Sequence, residues 1–492
     1  VAEHLMIVEP DDATANGFIL VNGSTSLTKI ADADFVIPSS LAFLSGHFIV
    51  SEYDNDQFNL SDLYDGTAWD ALQYATAEST RDKLIRIIVH NRQAWMLGER
   101  NTEVWWYSGA SVPLDRIDGG ILPYGCVGAF SACNQAGPLI WLDHQFQVRM
   151  AQGLESKVVS PRWVERELEG EADIWTAYAY QYTQKGHSFY CITTRAASKQ
   201  WVYDITTGMW HTRTKCGSVT GTTCNSETKP SANCYAYYKG KHLVGDPSNG
   251  KIYEYDFDTY TDNSKYTEAI KQVYVPSGLS ESYCDWIKLV AETGMEYNNG
   301  ETSVEASILL KHSTDRGNSW TSEASRATGE DGETDKRIVW RRRGRSKSDW
   351  VFQIRQIHPV RRVWKELWGA FGNPQGTRLP LVSGANLDEI EELMKVECKN
   401  LYPFKISPES DEWALRGVPG LKEWADSEYS HEVRGMCVMD EYLYAVIGAR
   451  LYRFNSEGTA TYMNGDDDLD TATGHVFMEN NTPMGDEYAS GA

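Results

Sequence analysis

The feature that most constrains this chain is a glycine that returns at a nearly fixed interval. The stretches GFILVNG, LSDLYDG, EVWWYSG, FQVRMAQG, WVYDITTG and LYRFNSEG end on Gly23, Gly66, Gly109, Gly153, Gly208 and Gly458. The first three steps are 43, 43 and 44 residues, and the next, to Gly208, is 55. A further unit, HLVGDPSNGKIYEYDFD, turns within 250–258. Strand-like runs lie between the glycines, such as LAFLSGHFIVSEYD at 41–54 and LIRIIVHNRQAWMLG at 84–98. About 40–45 residues make one four-stranded propeller blade, whereas a sandwich repeats strands every 8–12 residues with no longer period. Glycine also suits the positive φ of a tight hairpin. The spacing predicts an all-β fold: a six- or seven-bladed β-propeller with blades closing near these glycines.

Composition agrees with a β reading. Aromatics reach 12%, with 27 Tyr and 17 Trp, residues that favour half-buried pleated surfaces and wedge between sheets. At 492 residues the chain exceeds one ordinary core. From about residue 262 the period stops. ETSVEASILLKHST, KRIVWRRRGR and WVFQIRQI read as long strands of a second β-rich platform domain over 262–380. The remainder divides into a linker and irregular segment at 381–430 and a last blade at 431–492 that closes the propeller begun in 1–261. Asn386 is a candidate N-cap for a short amphipathic stretch in that linker. The closing blade should stand beside residues 1–25.

Charge is large and segregated. The net charge is −23, too acidic for general nucleic-acid binding, although an acidic wall can enclose DNA without gripping it. Residues 1–70 hold one Lys against twelve carboxylates, while residues 311–365 hold 14 Lys or Arg against 7 Asp or Glu. Within the latter, Arg341, Arg342, Arg343 and Arg345 form the densest cluster. On a strand they should alternate between faces, as an anchor for an acidic neighbouring subunit or DNA phosphate, or simply as a solvated strand end. Nine Cys with no C-x-x-C point to free thiols and no zinc site. No run approaches the length of a membrane span, and none resembles a signal peptide.

The sharpest local motif is Ser313-Thr314-Asp315-Arg316-Gly317-Asn318-Ser319-Trp320. It matches the Asp-box S-x-D-x-G-x-S/T-W, in which Asp315 should accept from turn amides and Trp320 should fold over the hairpin, largely buried. Ser313, Asp315, Gly317 and Trp320 are thus a structural motif. A single copy is a weak sign of a sialidase-like glycoside hydrolase. No H-E-x-x-H, P-loop, G-x-G-x-x-G or G-x-S-x-G occurs, so no catalytic residue, metal or cofactor is assigned. The run Asp466-Asp467-Asp468-Leu469-Asp470 lacks the pattern of a Ca²⁺ loop and reads as solvated.

Taken together, NLYPFKISPESDEWALRGVPGL, ERNTEVWWYSGA, GKHLVGDPSNGKIYEYDFDTYTD and HSTDRGNSW followed by KRIVWRRRGRSKSDWVFQIR resemble one family. It is the tail hub, or nozzle, family of short-tailed bacteriophages, also called packaged DNA stabilisation proteins. The order departs from the family: its opening segment sits here at 400–421, and MENN at 478–481 reads smoothly into VAEHLMIVE at 1–9. The resemblance implies a non-enzymatic virion tail part made in the host cytoplasm. It would be a homo-hexamer below the portal and tail adaptor that seals packaged DNA and forms its ejection channel. Implied partners are the adaptor, a distal needle, fibre or tailspike, and the DNA in the lumen, with no membrane insertion. The competing readings are a propeller glycoside hydrolase and a host-surface glycan-binding propeller.

Overall fold

The structure is a computed structural model that describes residues 4–480 apart from 11–15, 78–81, 111, 278–280, 299–302, 373–374, 383–395, 408–411, 464–468 and 470–472. Asn386, the aspartates of the 466–470 run and residues 481–492 lie outside the described residues.

Seven sheets follow one another around a ring. Blade II is Pro38–Leu44, His47–Glu52, Gln57–Asp62 and Asp65–Thr76, and blade III runs from Leu84–His90 to Leu114–Leu122. Blade IV has three strands, Ile140–Leu142, Val148–Gln152 and Glu155–Val158, with a bridge from Cys133 to Ile140 in place of an inner strand. Blade V spans Tyr178–Gln184 to Met209–Arg213, and blade VII spans Val433–Met439 to Ala460–Tyr462.

Two blades are assembled from distant segments. In blade I the inner strand Phe477–Asn480 pairs antiparallel with His4–Val8, which continues to Gly17–Val21 and Thr28–Lys29. In blade VI the first three strands, Tyr235–Tyr238, Lys241–Gly245 and Lys251–Asp256, are completed by Gly420–Asp426. A separate apolar cluster fills each of the seven gaps between blades. Leu5, Ile7 and Phe18 meet Tyr444 and Val446 between blades I and VII, just as Trp201 and Tyr190 meet Leu142 and Val148 between V and IV.

The periodic glycines do not close the blades. Gly23, Gly109, Gly153, Gly208 and Gly458 take φ of 83°, 71°, 64°, 70° and 83° at the turn between the third and the outermost strand. A left-handed residue recurs there because that turn reverses the chain onto the outermost strand; the shorter two-residue hairpins, at 91–92, 185–186 and 440–441, join first and second strands. Blade II differs: Tyr64 carries the positive φ, and a Cβ on Gly66 would lie 2.6 Å from Ile19 Cδ1. In blade VI the same turn is replaced by an insertion, the platform domain.

That domain is a β-sandwich. One sheet holds Ala269–Val275, Trp350–Gln356, Ser307–Ser313 and Ala324–Ala327. The other holds Ile338–Ser346, Ser282–Ala291, Val363–Phe371, Trp413–Gly417 and Leu401–Lys405. Trp340, Trp350, Phe352, Ile287 and Leu367 fill the space between them. The segment expected to be a linker at 381–430 therefore supplies four strands, from Cys398–Lys399 to Gly420–Asp426. Its prolines misled the reading: Pro403 sits in Leu401–Lys405, an edge strand paired on one side only, where a missing N–H can be tolerated.

The two domains share a sheet. Met209–Arg213 of blade V pairs parallel with Cys398–Lys399, which pairs with Ala269–Val275. Asn400 latches the joint, its Nδ2 donating to Thr214 O (2.9 Å) and Glu268 O (2.8 Å) and its Oδ1 accepting from Thr214 N. The expectation of free thiols throughout also needs correction. Cys216 and Cys224 form a disulfide across the hairpin Lys215–Thr220 and Thr223–Thr228, which sets their Cα atoms 5.5 Å apart.

Candidate functional site

The basic cluster lies on Ile338–Ser346, the outer strand of its sheet and a free edge of the sandwich. The expected alternation of its arginines does not occur. Arg342 takes a φ of 55°, and the register jumps from Trp286↔Arg341 to Cys284↔Gly344, a bulge that re-aims the side chains. Arg341 and Arg342 are exposed and make no ion pair among the described residues. Arg343 curls back, its Nε and Nη2 donating to Arg341 O at 3.2 and 3.1 Å. Burial and the nearby Arg326 hold its pKa below the usual value. Arg345 pairs with Glu281 at 3.1 Å.

The Asp-box turn stands next to this strand, where Ser346 Oγ donates to Thr314 O at 3.4 Å. Asp315 accepts from Ser313 Oγ (2.6 Å), Ser319 N (2.8 Å) and Ser319 Oγ (2.5 Å), which together hold its carboxyl down at about 2. Gly317 takes a φ of 94°. Trp320, expected to be largely buried, is half-buried, and Lys311 Nζ lies 5.0 Å from the centre of its ring. These bonds brace the hairpin and hold the Asp315 carboxylate to its own turn.

A second candidate lies on the propeller axis, where residues from all seven blades line a cavity of about 830 Å³. Sequence reasoning missed it, because its groups converge from strands hundreds of residues apart. Arg86 rests with its guanidinium 4.0 Å from the Phe477 ring, Phe130 stacks on Phe477 at 4.2 Å, and His475 leans on Phe130 and on Tyr178. Arg434 and Glu9, both fully buried, form an ion pair at 2.8 Å that ties blade VII to blade I. The available signal was a charge inside an apolar run: Arg86 in LIRIIVH and Glu479 in VFMEN. Elsewhere, Cys224, Glu227 and Glu268 approach metal-ligating distance, but Cys224 is disulfide-bonded while Lys399 and Arg355 engage the two carboxylates. No helix among the described residues is long and apolar enough to cross a membrane.

Residues 11–260 match the family described as bacteriophage P22 Gp10, β-propeller, and residues 279–368 match the β-sandwich of the same protein. The chain belongs to the P22 Gp10 family. This is the tail hub or nozzle family, and its members are phage structural proteins. Both matches fall on the domains seen here, and the strands at 398–426 complete each of them. No curated protein sequence matches the chain.

Among solved structures, the dihydro-heme d1 dehydrogenase NirN aligns at 8% identity and a TM-score of 0.32, over 51% of this chain and 61% of its own. The extracellular domain of a putative one-component system from B. thetaiotaomicron aligns at 9% identity and 0.29, over 95% and 72%. An exo-β-1,3-galactanase from Phanerochaete chrysosporium aligns at 8% and 0.25, over 70% and 88%. The chain thus spans about three fifths of the first of these. Likenesses this slight carry no argument about activity.

Proposed function

We propose that this chain is the hub, or nozzle, subunit of a phage tail. In this reading it assembles as a homo-hexamer below the portal and its adaptor, and the ring seals packaged DNA and conducts it during ejection. Its distal face would receive the needle, fibre or tailspike. The observation that carries the reading is the pair Arg341 and Arg342, exposed and without an ion pair among the described residues, on an outer sandwich strand of a chain with net charge −23. Identical acidic subunits repel one another unless opposite patches are brought together. The bulge and the arginines also keep that edge from pairing strand to strand with another copy. Contact is then made through side chains, with Arg341 and Arg342 meeting carboxylates of a neighbour, such as the exposed Asp34, Asp62 and Asp70 of the propeller.

Each exposed pair of this kind contributes only about 0–1 kcal/mol, so assembly should be sensitive to salt. The test is electron microscopy of purified protein with tail adaptor. Wild-type rings that vanish in the Arg341→Glu/Arg342→Glu double variant, with no DNA present, support the interface. Intact rings that retain DNA poorly would place the cluster at the lumen, and absence of rings from the wild type would remove the hub reading.

A further inference from the structure

The axial cavity has the volume of a small-molecule site, about 830 Å³. Its wall carries donors with nothing to bond. Among the described residues, Arg86 Nε and Nη1 are buried without a hydrogen-bond partner, and so is the hydroxyl of Tyr178. Buried polar groups are nearly always satisfied, so such orphans mark a place where an acceptor belongs. The contrast with Arg434 is direct, since that guanidinium is taken up by Glu9 Oε1 and by the carbonyls of Gly448 and Gly474. Between Arg86 and Tyr178 runs an aromatic wall: the Phe477 ring under Arg86, Phe130 stacked on it, and His475 reaching from Phe130 to Tyr178 at 5.1 and 4.4 Å.

Beside Arg86 and Phe477 the charges are few; at the Tyr178 and His475 end, Lys229 Nζ lies 5.3 Å over the Tyr178 ring, and Glu432 and Arg195 act on both side chains. Glu479 projects from the same face of its strand as Phe477. The thiols of Cys133 and Cys126 face Arg86, and Cys437 of blade VII faces Glu479; burial pushes all three up, so they are neutral. Burial pushes His475 down to about 4, neutral as well. Burial lifts Glu479 to about 7 and lowers Arg86 only to about 10, so Arg86 is a cation whose one nearby counter-charge is half lost at neutrality. A planar guanidinium matches a carboxylate in two parallel hydrogen bonds.

We propose that the propeller axis is a binding site for small monocarboxylates with a flat apolar body, the carboxylate pairing with Arg86 and the body lying along the Phe130–Phe477 wall. Inorganic phosphate, which has no flat apolar body to lie along the Phe130–Phe477 wall, is excluded. The site is independent of the hub reading and stands or falls apart from it.

The test is isothermal titration of the full chain with benzoate at pH 6 and pH 8, with inorganic phosphate in parallel. Saturable one-to-one binding of benzoate is expected at pH 6. At pH 8 it should be about tenfold weaker, because ionised Glu479 then occupies Arg86. Arg86→Gln should abolish binding while leaving the melting transition in place. Glu479→Gln should bind benzoate equally at both pH values. No saturable heat at pH 6, undiminished binding in a folded Arg86→Gln, or phosphate binding as tight as benzoate would overturn the proposal. Should Arg86→Gln not fold, an unchanged pH effect in Glu479→Gln overturns it alone.

Discussion

The propeller and the sandwich solve the same problem in opposite ways. Every propeller sheet is covered on both faces by its neighbours, and the ring closes through Phe477–Asn480 against His4–Val8. Charges drawn into such a ring must be paired or left facing the axial cavity, as Arg434 with Glu9 and Arg86 illustrate. The sandwich keeps a free edge and protects it with positive charge in water. The same residue type is therefore enclosed in one region, as half of an ion pair or in a cavity wall, and held in water at a strand edge in the other. What differs is the dielectric around it, which makes a buried guanidinium expensive to orphan and an exposed one cheap to replace.

The largest effect should come from breaking the buried pair. Arg434→Met removes the cation that Glu9 faces in this buried pair, so stability should fall by about 3–5 kcal/mol in calorimetry or urea unfolding. A loss below 1 kcal/mol would mean that ring closure does not depend on the pair. Next is the sandwich core: Trp340 is fully buried and its Nε1 donates to Ala324 O at 2.7 Å. Trp340→Phe gives up that bond and part of the packing and should cost about 1–3 kcal/mol.

Glu479 sharpens the comparison through pH. Its folded pKa of about 7 lies above the unfolded value, so the folded state binds the extra proton and stability declines as pH rises toward 7. Glu479→Gln should therefore raise stability at pH 8 by roughly 3 kcal/mol and leave it unchanged near pH 4. An equal gain at both pH values would show that packing, not charge, is responsible.

The smallest effects belong to the exposed edge. Replacing Arg341 and Arg342 together by Glu should move monomer stability by no more than about 0.5 kcal/mol. Asp315 gives an acid-range check. Its carboxyl is held below the ordinary value, so its contribution is present above about pH 3.8 and lost as pH falls through about 2. Asp315→Ala should lower the melting temperature at pH 6 and make no difference at pH 1.5, read by circular dichroism.

How far the sequence carried depends on whether a signal is local. The Gly repeat is local to one hairpin, so it reported blade spacing while misplacing the turn within the blade. The Asp-box is confined to eight residues, and Asp315 accepts from the Ser319 amide of its own turn as the motif suggested. Arg342 was misread because alternation assumes an unbroken strand; Gly344 in RRRGR, with its φ of 98°, was the overlooked sign of a bulge. Leu401–Lys405 was misread because proline weighs against a central strand but not against an edge. The axis was invisible because Arg86, Tyr178 and Phe477 share no window of sequence.

The placement of the sandwich in blade VI has a mechanical consequence. Gly420–Asp426 returns from the sandwich to lie against Lys251–Asp256 over six paired residues, from Lys251↔Asp426 to Asp256↔Gly420. Tension between the domains is thus carried along this ladder and the Thr212↔Lys399 seam, and not across a flexible tether. A load on one domain reaches the other through hydrogen bonds strained side by side, so in a single-molecule pulling experiment the two should yield in one force peak at a rate set by unfolding, with no slack stage before it.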